Sequence, residues 1–238
     1  VALVTDLEAW RRAAEVGGRG WYARAHTEAA ALCVSPDPVV RSSAWCLSAS
    51  LVRQGGDHAR AAVLDGRAVA EVGLRVATVA AVDAVVGLAA DALGPGRYRR
   101  AEVLLDRAVA ILDRCGPDEE AHRAGVRCRW VRAELAMARG DGATAEFWAD
   151  DAARLAADLA SPRHRVKSAV VGAAAALVAG RDGVARRAER ARRDADDGGF
   201  LPLAWAAAAI GDAVGDPIAA ADRARFAAIL RARGGPFR

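Results

Sequence analysis

Apolar and small residues return along the chain at fixed distances from a set of glycines. The fifth residue after Gly20, Gly56, Gly96, Gly140, Gly180 and Gly215 is always alanine: Ala25, Ala61, Ala101, Ala145, Ala185 and Ala220. Seven residues further on stand Leu32, Ala68, Ala108, Ala152, Arg192 and Ala227, apolar or small in all but one. Trp10, Trp45, Trp130 and Trp205 precede their glycines by ten or eleven residues, and Val85 and Val86 fill that place before Gly96. The glycines are 36, 40, 44, 40 and 35 residues apart. A period in this range signals a repeat architecture.

The spacing has a simple physical reading. A helix runs up to each glycine, which accepts the positive φ that ends it, and a second helix begins just after. The residue five past the turn then faces the partner helix where the two come closest, and only a small side chain fits. Proline marks the joints between units, at Pro36 and Pro38, Pro117 and Pro162, with Gly73 serving at the second joint. The pattern predicts helices near 5–16, 20–34, 39–54, 57–72, 75–93, 97–114, 118–138, 142–159, 163–179, 183–196, 201–213 and 217–232. A single hairpin cannot bury its own apolar stripe, whereas stacked hairpins share a continuous core. An all-α solenoid of about six hairpins is expected over residues 1–238 as one domain, with 200–238 as its cap. A plain bundle whose turns use glycine is the alternative.

Composition narrows the class further. The chain has 238 residues, 53% of them hydrophobic and 27% charged, which excludes disorder and allows a sizeable core. Aromatics are only 5% while alanine abounds, so β-rich folds drop out. Lys167 is the only lysine, and the arginine excess reads as the codon bias of a GC-rich, bacterial genome. The net charge of +4 arises from 34 basic and 30 acidic side chains that are interspersed, so a nucleic-acid binder is not expected. The apolar run 169–180 is too short to span a bilayer, and charges at Asp6, Glu8, Arg11 and Arg12 argue against a leader. Cys33, Cys46, Cys115 and Cys128 form no Cys-x-x-Cys pair and read as buried small hydrophobes of a cytoplasmic protein.

No catalytic motif is present, neither a Gly-x-Ser-x-Gly elbow nor a P-loop nor a His-Glu-x-x-His pair, so neither an enzyme nor a cofactor is expected. The string Gly-Gly-Arg-Gly-Trp-Tyr at 17–22 follows a helix, not a strand, and reads as a turn. Cys115, His122 and Cys128 match no standard zinc spacing, and no metal is expected. His26, His58, His122 and His164 fall in different hairpins. A basic face at Arg186, Arg187, Arg190 and Arg193 is mixed with Glu189, Asp194 and Asp196 and reads as solvated. Phe147 and Trp148 are adjacent on one helix, so one must lean outward.

Gly-Arg-Tyr-Arg-Arg-Ala at 96–101 and Gly-Asp-His-Ala-Arg-Ala at 56–61, with Trp45 in the place of the first-helix aromatic, resemble the tetratricopeptide-repeat (TPR) superfamily. The longer units are similar to those of MalT-like regulators. The usual Leu-Gly pair of the first helix is absent, and Arg192 stands where a small residue belongs. The resemblance implies a right-handed superhelix whose first helices line a concave groove for a peptide or partner protein. In the seventh helix Arg123, Arg127, Trp130 and Glu134 share one face by their spacing. On the implied groove they would join Asp83 of the fifth helix and Lys167 of the ninth. A tryptophan beside desolvated cations suits a carboxylate or acidic peptide. The competing reading makes Trp130 core and lets Asp83 neutralise Arg127. A small-molecule-sensing module of a transcription regulator is the alternative function.

Overall fold

A computed structural model describes residues 2–237, with side chains from residue 6 onward. Among them are twelve α-helices and no strand: α1 (Ala2–Gly18), α2 (Tyr22–Leu32), α3 (Pro38–Gln54), α4 (His58–Val72), α5 (Val79–Leu93), α6 (Tyr98–Leu112), α7 (Glu119–Ala138), α8 (Gly142–Ala157), α9 (Pro162–Val178), α10 (Val184–Asp197), α11 (Leu201–Ala213) and α12 (Pro217–Ala232). No helix among the described residues is long and apolar enough to cross a membrane. The six repeat glycines all have positive φ, from 64° at Gly180 to 87° at Gly56, as the turn reading requires.

Short polar side chains set many of the helix starts. Asp57, Thr78, Asp118 and Asp141 each accept a hydrogen bond from the backbone N–H three residues on, which satisfies a donor that the helix itself leaves open. Thr78 explains the largest boundary difference. The expected start near residue 75 falls in the stretch after Gly73, and α5 begins only behind the Thr78 cap.

The chain divides into two compact units, Val1–Gly17 with Trp21–Ala124, and Gly18–Gly20 with Gly125–Arg238. In the first, consecutive helices from α2 to α6 pack on one another and α3 also packs on α5. In the second, α8 to α12 do the same and α9 also packs on α11. Tryptophans mediate this next-but-one packing. Trp10 joins a cluster with Val40 and Ala44, Trp45 one with Ala84, and Trp130 one with Val171. Trp205 instead meets Phe237 of the C-terminal tail edge-on, with ring centroids 5.0 Å apart.

The alanine rule holds in four hairpins and slips in two. Ala25, Ala61, Ala101 and Ala145 are fully buried. Ala185 is exposed, because Gly183 adds a second left-handed residue and delays α10, so Ala188 takes the buried place. In the last hairpin Ala219 is buried in place of Ala220, which is half-exposed.

Candidate functional site

The predicted site residues fall into two groups, one in each unit. In the first unit Asp83, on α5, is buried and accepts from Arg123 Nη2 at 2.5 Å. Arg123 also reaches Glu120 through Nε at 2.8 Å, and Glu120 lies 3.5 Å from Arg11. Burial opposes the charge on Arg123, but the Asp83 carboxylate and the bonds to Asp83 and Glu120 outweigh it and raise its pKa. Asp83 thus has Arg123 as a partner.

The second group is built on α7 and α9. Trp130 is only 4% exposed. Its indole Nε1 donates to Ser168 Oγ at 2.9 Å, and the ring packs against Val126, Ala133 and Val171. His164 stacks with it at 5.4 Å and 19°, and His164 Nδ1 lies 2.9 Å from Ser161 Oγ. Lys167 Nζ stands 4.8 Å from the ring centroid and 3.7 Å from Glu134 Oε1. Proline at the start of α9 and the i, i+3, i+4 spacing of residues 164, 167 and 168 aim all three side chains at the same ring. Arg127, one turn before Trp130, is half-buried.

Chemically, Trp130 is a floor and not a contact surface. What solvent reaches is the rim: the Lys167 ammonium, the Glu134 carboxylate, the His164 edge and Arg127, none of them fully buried. A cation held over an aromatic face by a neighbouring acid keeps a fixed position and can be shared with an incoming carboxylate.

A second polar cluster was not anticipated. Arg53 reaches both Asp65 and Asp91, carboxylates each 1% exposed, bonding Asp91 Oδ1 at 2.6 Å. Burial works against the Arg53 charge, and the two carboxylates overcome it and raise its pKa. His58 Nδ1 lies 3.8 Å from Asp91 Oδ1. Gly87 and Gly94 make room for the cluster, since a Cβ at either would overlap the Asp65 carboxylate or the His58 ring. Part of this was readable: Asp65 sits on the buried stripe Ala61–Asp65–Ala68, where an acid demands a partner. Asp91 lies in a helix buried on nearly all sides and carries no such periodic signal.

Elsewhere, Phe147 is the outward member of its pair, 59% exposed and edge-on to Trp148, over which Arg132 sits at 5.0 Å. Cys33 and Cys115 donate to carbonyls of their own helices, and burial pushes both thiols up. Among the described residues no group of three His, Cys, Asp or Glu side chains is placed to hold a metal ion. No family model, no curated protein and no solved structure matches the chain.

Proposed function

We propose that the protein is a non-enzymatic repeat scaffold that binds a peptide or partner protein, with Arg127, Glu134 and Lys167 as the contact rim and Trp130 as its floor. In this reading the hairpins form a right-handed solenoid of the tetratricopeptide kind, the last hairpin is a cap, and the first helices line the binding face. The supporting observation is the Lys167–Trp130–Glu134 arrangement. It lies on α7 and α9, first helices of successive hairpins, beside the half-buried Arg127. Such a rim takes a carboxylate, so the bound segment carries acidic side chains or a free chain end. The Arg123–Asp83 pair braces α5 against the start of α7.

Native mass spectrometry of the protein after exposure to lysate of its source, wild type against Arg127→Ala/Lys167→Ala, tests the reading. A peptide or protein held by the wild type is expected to be lost from the variant, with roughly tenfold weakening per cation removed. Both forms should have the same helical circular dichroism. Equal retention by the two overturns the assignment of the rim. A retained small molecule replaces the scaffold reading with a sensor.

A further inference from the structure

Helix α10 has two opposite characters. Val184, Ala188, Ala191 and Ala195 are buried, while Arg186, Arg187, Arg190 and Arg193 are exposed. Elsewhere many arginines are tied to acids: Arg41 to Glu71, Arg129 to Asp151, Arg181 to Glu146, Arg223 to Asp212 and Arg225 to Asp196. On and beside α10 several acids are already engaged elsewhere. Glu189 is taken by Arg193 at 2.5 Å and by Arg192 at 3.7 Å, and Asp216 caps α12 through Ile218 and Ala219. Arg186 and Arg190 have no ion-pair or hydrogen-bond partner among the described residues. They line an open cleft of about 870 Å³ together with Asp182, Gly183 and Asp194.

This placement works against the fold. Arg186 lies in the first turn of α10, at the positive end of the helix dipole, with no acidic residue in that turn and no side-chain cap. Arg190 follows one turn later, and like charges at i, i+4 repel. Neither guanidinium forms an ion pair or hydrogen bond among the described residues. A carboxylate brought by another molecule relieves both penalties.

The order of charges names the partner more closely. Asp182, Arg186, Arg190 and Asp194 are spaced by four, two cations flanked by two acids, with the last three one turn apart, or roughly 6 Å per step. The complement is a pair of carboxylates one turn apart with a cation beyond each. A phosphate backbone would run into Asp182 and Asp194. A second α10, laid antiparallel in register, would set Arg186 against Arg190 and Asp182 against Asp194. We propose that the exposed face of α10 docks a helical segment of a partner protein with two central glutamates or aspartates one turn apart. This surface is independent of the Trp130 rim.

Three fluorescent probes test it by anisotropy: an alanine-based helical peptide with two glutamates one turn apart flanked by lysines, its charge-inverted twin, and a single-stranded oligonucleotide. The wild type should bind the first in preference to the other two. Arg186→Glu/Arg190→Glu should weaken that binding by roughly tenfold per arginine and shift preference to the inverted twin. Arg127→Ala/Lys167→Ala should leave it unchanged. Arg186→Gln/Arg190→Gln, which adds no acid beside Asp182 and Asp194, should weaken the binding as well while keeping wild-type helical circular dichroism, so lost binding will not reflect lost folding. Absence of wild-type binding to the first peptide, its retention by the reversed variant, or preference for the oligonucleotide would each overturn the proposal.

Discussion

A methyl group is all that separates Gly87 from alanine, and the Asp65 carboxylate occupies the space it would need. Two effects then compete. Alanine is the better helix former by about 1 kcal/mol. Against that, the new Cβ pushes a buried carboxylate away from Arg53, and breaking such a pair costs about 3 kcal/mol or more. The clash wins, so Gly87→Ala should lower unfolding stability by about 2 kcal/mol, measured by urea titration. A neutral or stabilising result would mean that Asp65 can relax without losing Arg53. The same residues show where one-dimensional reasoning stops. The spacing of Arg123, Arg127, Trp130 and Glu134 was legible, and so was the approach of Lys167 to Trp130. The depth of Trp130 was not, because burial depends on what α9 lays against the ring: Ser168 at its N–H edge, His164 stacked on it and Lys167 over its face. Nor did spacing single out Arg123 as a partner of Asp83, one turn before Arg127.

Helix turns carry the next level, and there glycine has opposite meanings at different places. Gly140 has φ 75° and open space around it, so a Cβ meets no atom and only the backbone objects. Gly66 lies inside α4 with equally open space and ordinary helical geometry. The same substitution should therefore act in opposite directions. Gly140→Ala should destabilise by about 1 kcal/mol. Gly66→Ala should stabilise by about 0.7 kcal/mol. Thermal melts of both variants alongside the wild type check the pair, and equal signs would contradict the turn assignment. This is also the scale at which the sequence was most readable. The twelve helices overlap the ranges that the glycine, alanine and proline punctuation gave, with α5 starting late behind Thr78, since each signal is local: a positive φ, a cap, a missing N–H. The failure at Ala185 comes from an extra turn residue. Gly183 inserts a second left-handed residue after Gly180, and the register of α10 follows that turn and not the repeat.

At the level of the whole chain, what matters is how far a local loss spreads. The larger helix–helix contacts described run between neighbouring and next-but-one helices, α3 with α5 in one unit and α9 with α11 in the other, while single polar contacts such as Arg11–Glu120 reach further. In repeat arrays, stability is close to a sum of unit terms and nearest-neighbour terms, so segments can open separately. Two substitutions, one in each unit, make this measurable. Gly87→Ala weakens the α3–α5 packing through Asp65 and Arg53. Phe226→Ala removes a fully buried ring from α12 and should cost about 3–5 kcal/mol. Amide hydrogen exchange should report the first as faster exchange in α3 to α6 with α9 to α12 at wild-type protection. The second should produce the reverse pattern, with α10 to α12 exposed and α3 to α6 unaffected. Uniform loss of protection along the chain in both variants would instead mean one cooperative transition, in which long-range coupling through α7 outweighs the local terms. The two outcomes also differ for binding. A rim on α7 and α9 within a separately stable unit keeps its partner when the first unit is weakened, whereas a single cooperative body loses both together.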